Sequence, residues 1–569
     1  MKDNKGITIV ALIITIIVLL IFAGMILQAI DYDIFGTAEN TVDNANDKMR
    51  KDERTEEKIQ DSWNSEPGTS VKTPSVSAPN KPKLIEGMIP VKWNGTNWVK
   101  ADESKTDWYE YGTTTETKRW ANAVTVKETD GTVLRADYMS APENTVINDA
   151  DILGMYVWIP RYSYKIVRGY HQSNTGTSEI DSGFVDIQFI NGTGNGINNI
   201  GYNSLTTDNY THFPNGYVLH PAFTFGNVEL PGFWVAKFEA SSSNTTSSNP
   251  NTGNKYGASS ANVTPAIGGD EVTVRPNVTS WRYITVINCY IASVNMTKTG
   301  NIHGLSTMAD SHLMKDTEWG AVAYLTQSVY GNAQTSATSG VWNNSYYNGD
   351  GRYGTRTGMV GETRDDATSS SITSEDLAAK SFYTYETTNG IKGSTTGTIY
   401  GIYDMSGGAF EYQASYLDNV TGQTNDIQEK IDYFKTEVPA KHKIAYGGTR
   451  KNENLTENGV TANGRYFNYL DNKAEYGNAL YETSNLSTVG EASSGWNGNY
   501  SNFLFAGYPF VMRSGRYDSS IEWRDVFFQS TWRRCICNNR LPPSPSSLNI
   551  RQIFSRSLGT GFFDRRFVQ

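Results

Sequence analysis

Between Gly6 and Ile30 the chain reads GITIVALIITIIVLLIFAGMILQAI, without one charged side chain. A helix rising about 1.5 Å per residue crosses a hydrocarbon core in about 20 residues. In lipid such a run must satisfy its backbone internally, so a spanning helix is the expected form. Lys2 and Lys5 precede it and Asp31 and Asp33 follow it, which keeps the N-terminus inside and sends the rest of the chain out. The expectation is a single-pass protein of the cell membrane with an extracellular C-terminal body. A cleavable secretory signal has a shorter apolar run, about 7–15 residues, and a small-x-small cleavage site. Ile30-Asp31-Tyr32-Asp33 offers none. A buried core helix fits poorly, because so little polar surface flanks the run.

Composition points to a loop-rich extracellular body. Only 19% of residues are charged while 12% are aromatic, a balance suited to surfaces that bind through Tyr and Trp. The net charge of −10 and the lack of a basic stripe in the body argue against nucleic acid as a partner. Three cysteines in 569 residues exclude a disulfide scaffold. Cys535 and Cys537 stand too close for an easy bridge, and Cys289 stands alone.

Composition shifts divide the chain. Residues 1–6 form a polar leader and 7–30 the apolar helix. Residues 31–63 are a charged stalk with sparse Ile34, Val42, Met49 and Ile59; its run Lys48 to Arg54 reads as a solvated face. Residues 64–86 are a Pro/Ser/Thr-rich linker, expected to be extended and semi-rigid. The body runs from 87 to 532, with Ser/Thr/Asn/Gly-rich insertions near 240–270 and 332–376 expected as surface loops, and residues 533–569 form an Arg/Ser/Pro-rich tail. Within the body, Met155–Ile159, Gly232–Phe238 and Phe503–Phe505 read as strands. Ile284–Met296 and Leu313–Leu325 read as helices, the second with Leu313, Trp319 or Gly320, Val322 or Ala323, and Leu325 on one face. The fold class expected is therefore α+β.

The leader ending in Gly6, followed at once by Ile7-Thr-Ile-Val10, resembles the type IV prepilin class. That resemblance implies cleavage between Gly6 and Ile7 by a prepilin peptidase, and a helix serving as membrane anchor and assembly core with pilin-like subunits. The chain departs from the pattern at Ala11, where the family has a Glu that pairs with the neighbouring subunit's new N-terminus. Residues 150–525 hold a second series. It comprises Val157-Trp-Ile-Pro160, Gly232-Phe-Trp-Val-Ala-Lys-Phe-Glu239, Pro276-Asn-Val-Thr-Ser-Trp281, Glu318-Trp319, Gly401-Ile-Tyr-Asp-Met-Ser-Gly-Gly-Ala-Phe-Glu-Tyr412 and Arg513-Ser-Gly-Arg-Tyr517. In this order they resemble the formylglycine-generating enzyme, or sulfatase-modifying factor, family, whose fold is a variant of the C-type lectin fold.

Asp404 and Glu411 are hard oxygen donors seven residues apart in a glycine-rich turn, and calcium takes six to eight such oxygens. The resemblance implies a structural calcium ion held by the Asp404 side chain, the Gly407 and Ala409 carbonyls and the Glu411 side chain. Without metal, Glu411 would instead anchor a local hydrogen-bond network. The family's oxidases need a copper-binding cysteine pair, and the resemblance puts those positions at Ser519 and Arg524, where neither residue is a thiolate for a soft metal. No enzymatic activity is expected. His171, His212, His220, His303, His312 and His442 are scattered; His303, Asp310 and His312 have zinc-ligand types, but a hydrogen-bonded surface role is the stronger expectation. Neither a nucleophile elbow nor a phosphate-cradling loop occurs.

The tail leaves two readings open: a basic segment that contacts anionic cell wall or the body, or a frame-shifted end lacking the final strands. The favoured function is an adhesin- or receptor-like binding protein with a non-catalytic lectin-like domain. Its ligand, a glycan or a protein, is expected to meet Trp342, Tyr346, Tyr347, Trp496, Tyr500, Tyr508, Arg513 and Tyr517. A minor pilin or pseudopilin subunit is the alternative, and a formylglycine-type oxidase ranks third.

Overall fold

A strand buried on both faces reads as an unbroken apolar run, and Ile152–Pro160 (ILGMYVWIP) is such a strand, buried at every position except Leu153. In a computed structural model of the chain, described residues are 78–129, 134–168, 184–194, 217–244, 263–332 (except 279, 282 and 283), 346–347, 357–362, 383–405, 409–418, 424–447, 455–457, 460–462, 477–479, 504, 509–513, 548–550 and 552–555. All belong to one compact unit, Ser70–Ser557. The leader with Gly6 and Ile7, the 7–30 helix and the stalk lie outside the described residues. No helix among the described residues is long and apolar enough to cross a membrane.

Ile152–Pro160 sits inside a seven-stranded sheet. The strand order is Asp310–Leu313, Gln552–Ser555, Gly232–Ala236, Ile152–Pro160, Asn122–Val126, Ile89–Trp93 and Trp98–Lys100, with every pairing antiparallel. Trp158 stands opposite Trp234 in register, with ring centroids 5.4 Å apart in an edge-on pair, a geometry that aromatic quadrupoles favour. Trp108 stacks on Trp234 at 6.4 Å, closing one side of the sheet. A smaller sheet sets Phe410–Leu417 between Ile444–Tyr446, parallel, and Phe510–Arg513, antiparallel. Leu548–Ile550 also pairs with Phe410–Leu417. The 533–569 tail thus contributes strands to both sheets. The architecture is α+β, as expected.

Two helices close the core. Val286–Asn295 starts at Thr285, whose hydroxyl accepts the Asn288 N–H at 3.3 Å, the usual way to satisfy an orphan helix donor. It packs against the Asp310–Leu313 strand, where the Ser311 hydroxyl donates to the Ser293 carbonyl at 2.6 Å. Asp316–Thr326 is buried along its whole length, so no single face distinguishes Trp319 from Gly320. Its first turn is fixed by Glu318, whose carboxylate accepts the Lys315 N–H at 2.7 Å. This start displaces the expected boundary: Leu313 ends a strand, and the helix begins three residues later.

Other boundaries shift as well. The end of the expected linker already belongs to the body. Asn80 is buried and donates to the Pro231 carbonyl at 2.8 Å, and the Lys83 carbonyl accepts the Trp234 indole N–H at 2.7 Å. Parts of the expected insertions are sheet: Ser241–Ser242, at the start of the first, pairs with Val272–Thr273, and Tyr346–Tyr347 pairs with Met359–Glu362 inside the second. Of the expected strand Phe503–Phe505, Leu504 is described and buried, outside any strand, while 503 and 505 lie outside the described residues.

Gly320 offers a test of this packing. A Cβ there would stand 1.9 Å from the Gly477 carbonyl oxygen. In an exposed helix, Gly→Ala stabilises by roughly 0.5–1 kcal/mol. Here the backbone clash reverses the sign, and Gly320→Ala is expected to destabilise by about 1–3 kcal/mol, read as a lowered urea midpoint.

Candidate functional site

The Gly232–Ala236 strand continues into Lys237, Phe238 and Glu239, and all three are sealed from solvent. An ammonium carries three donors. Those of Lys237 go to Asn122 Oδ1 at 2.8 Å, the Ile399 carbonyl at 2.6 Å and the Gly401 carbonyl at 2.8 Å. Trp98 and Tyr403 flank the charge, with ring centroids 5.1 and 5.4 Å from Nζ. Burial pushes the Lys237 pKa well below its ordinary value. The Lys237 carbonyl accepts the Tyr403 N–H at 2.8 Å, so the incoming loop is held in register with the strand.

That register delivers Asp404 to Glu239. Asp404 has a φ of 60°, a conformation that a short polar side chain tolerates when local hydrogen bonds hold it. Its carboxylate accepts the Gly358 N–H, 3.0 and 2.9 Å from the two oxygens, and the Glu239 N–H at 3.2 Å. The Glu239 carboxylate accepts the Ala409 N–H at 2.8 Å and the Ser280 hydroxyl at 2.6 Å. Glu411 opens the Phe410–Leu417 strand, is fully buried, and stands opposite Arg513 in register.

Asp404 and Glu411 therefore place two further buried carboxyl groups in the field of Glu239. Burial first, then the charges of Asp404 and Glu411, raise the Glu239 pKa well above the carboxylate range. Like charges in a low-dielectric setting must either share protons or bind a cation, and an all-oxygen set suits a hard ion such as calcium.

Of the expected calcium ligands, Asp404 and Glu411 both act on Glu239 through their charge, and Gly407 lies outside the described residues. Ala409 meets the cluster through its N–H as a donor to Glu239. Glu239 is the member that sequence reasoning did not assign as a ligand. The available signal was an acid two residues after a lysine, both continuing a fully apolar strand.

Arg513, expected on the ligand surface, is fully buried. Its guanidinium lies over the Trp319 ring at 4.5 Å and donates to the Asn478 carbonyl. Packing between the Trp319 helix and the smaller sheet is what holds it there. Tyr346 and Tyr347 form the short strand given above, while Trp342, Trp496, Tyr500, Tyr508 and Tyr517 lie outside the described residues, as do Ser519, Arg524, Cys535 and Cys537. Cys289 is a buried free thiol.

The surface role expected for His303 and His312 is also corrected, since both are fully buried. His303 bonds the Thr125 hydroxyl and the Val272 carbonyl, each at 2.7 Å, far from a zinc role. His312 turns with Asp310 toward His442. His220 sits among Tyr162, Tyr164, Phe223 and Tyr324, and burial lowers its pKa to about 3.

The raised Glu239 pKa carries a signed pH effect. Its folded value lies above the unfolded reference of 4.5, so folding favours the protonated form. That contribution is fully present below the reference value and is lost as pH rises through the folded value. In chelator, the urea midpoint of the wild type is expected to fall relative to Glu239→Gln as pH rises from about 5 to 8. Parallel curves for the two proteins would contradict a shared-proton cluster. Compared with known proteins, the chain matches no family model and no curated protein.

Proposed function

We propose that this chain is a membrane-anchored extracellular binding protein of the adhesin or receptor kind. In this reading residues 7–30 are the anchor and the body is a non-catalytic C-type-lectin-like domain of the formylglycine-generating enzyme type. Calcium serves it as a structural cofactor at Glu239, Asp404 and Glu411. The observation that carries the reading is where the charged side chains of the body are used. Lys237, Glu239 and Asp404 are spent on backbone groups of surrounding segments at 358, 399, 401 and 409 and on the Ser280 hydroxyl. Such anchoring makes a stiff scaffold on which loops vary freely, and variable loops on a rigid frame are where binding concentrates. Calcium would replace the proton shared by the cluster and let all three carboxylates ionise.

The leader supports a second reading, a minor pilin or pseudopilin subunit, because Gly6-Ile7 has the form of a prepilin cleavage site.

Two measurements test these readings. Calcium added to chelated protein is expected to raise the unfolding free energy by about 2.7 kcal/mol at a hundredfold excess over the dissociation constant, read as a higher unfolding midpoint. Asp404→Asn and Glu411→Gln are each expected to abolish the rise; a rise that persists in both variants places calcium elsewhere. Cells displaying the chain are expected to bind members of a glycan or protein array, with Ala at Trp342 and Trp496 reducing capture. Recovery in sheared filaments of a chain starting at Ile7, without array binding, would favour the subunit reading.

A further inference from the structure

A second cluster of donors lies at the strand end of the central sheet. Asp310 and His312 are two residues apart on the Asp310–Leu313 strand, so their side chains leave the same face. The one-turn 3-10 helix Ala440–His442 brings His442 against them. The rings of His312 and His442 are stacked, with centroids 4.9 Å apart and planes within 8°. Asp310 Oδ1, His312 Nδ1 and His442 Nε2 all lie within 4.8 Å of one another. Oδ1 is 2.7 Å from His442 Nε2 and 3.4 Å from His312 Nδ1, yet none of the three atoms makes an aligned hydrogen bond among the described residues.

The outward-facing atoms of the same side chains are all engaged. His312 Nε2 lies 3.1 and 3.3 Å from the Glu318 oxygens, and Glu318 is itself held by the Lys315 N–H. The Tyr290 hydroxyl lies 2.9 Å from His442 Nδ1. Lys441 Nζ is 2.9 Å from Asp310 Oδ2. When the outer nitrogen of an imidazole donates to a carboxylate or hydroxyl, its inner nitrogen turns a lone pair inward. This outer-partner pattern is the one that orients metal-bound histidines.

We infer that Asp310, His312 and His442 form a divalent-metal site of the zinc class, with three protein ligands and one solvent position. Two imidazoles and one carboxylate suit zinc and its borderline neighbours, whereas calcium takes oxygen alone. In a tetrahedral site with bonds of about 2.0–2.1 Å, donor atoms stand roughly 3.3 Å apart, so only small shifts of these side chains are needed. The Phe225 ring, 5.0 Å from the His312 ring, covers one side. The three donor atoms are themselves buried, so the solvent position would hold a single enclosed water. Metal bound here would clip the central sheet to the turn that follows the Asn425–Thr436 helix. Lys441 is the repulsive element of the site, since its ammonium sits on the other oxygen of Asp310 and its side chain is 40% exposed.

The test is calorimetric titration of the untagged, chelator-treated full-length chain with zinc alone, with calcium present in a second run. One equivalent is expected to bind in both runs. His312→Gln and His442→Gln are each expected to weaken binding by at least about 100-fold and Tyr290→Phe by about 10-fold, following the usual effects of ligand and outer-partner loss. Lys441→Ala removes a partly exposed side chain and is expected to tighten binding severalfold, with the unfolding midpoint read alongside to confirm that the variant is folded. Absence of zinc binding to the folded wild type would overturn the site, as would unchanged affinity in both histidine variants or in Lys441→Ala.

Discussion

An ammonium sealed inside protein must find an acceptor for every proton, because an unpaired buried charge costs far more than any hydrogen bond returns. Lys237 meets that demand with one side-chain oxygen from the central sheet and two carbonyls from the 399–401 segment. The position of the Asp404 loop follows from it. With the Tyr403 N–H bound to the Lys237 carbonyl, the loop cannot slide along the strand without breaking several buried contacts at once. Asp404 is thereby carried to the backbone of Glu239 and Gly358, in a left-handed conformation that its own carboxylate holds in place.

Arg161 works in the same way. It is fully buried and reaches the Gly194, Phe223 and Leu230 carbonyls and the Glu229 carboxylate. In both places a long cationic side chain gathers backbone carbonyls that lie far apart in sequence, and this is how a loop-rich chain avoids orphaned buried acceptors. The two acid-containing clusters then differ in donor chemistry. Glu239, Asp404 and Glu411 present oxygen alone, while Asp310, His312 and His442 mix oxygen with imidazole nitrogen. Hard and borderline cations would separate between them on that basis.

Much of the frame was readable from local pattern. The unbroken apolar run at Ile152–Pro160, the GFWVA run and the helix after Thr285 all announce themselves through composition, period or a cap. Leu313 was misread because an apolar residue just before a helix looks the same as one inside it. Its assignment depends on Glu318 capping at Lys315. Arg513 and the histidines were misread for a different reason: polar side chains default to the surface in any sequence-based expectation, and only their partners reveal burial. The strands at 548–550 and 552–555 were illegible because neither their composition nor their neighbours resemble the rest of the body.

The sequence by itself determined the apolar 6–30 segment, the acidic and aromatic balance that argues against nucleic acid, the positions of the buried strands and the Asp404–Glu411 pair. These are properties of a residue and its near neighbours, and hydrophobic period is a local signal. Only the tertiary structure decided that Glu239 joins the two carboxylates, that Arg513 packs inward, and that His312 meets His442 rather than His303. Each of those outcomes turns on desolvation and on a partner distant in the chain. Both arise when separate segments are pressed into one core, and neither leaves a period or a spacing to read beforehand.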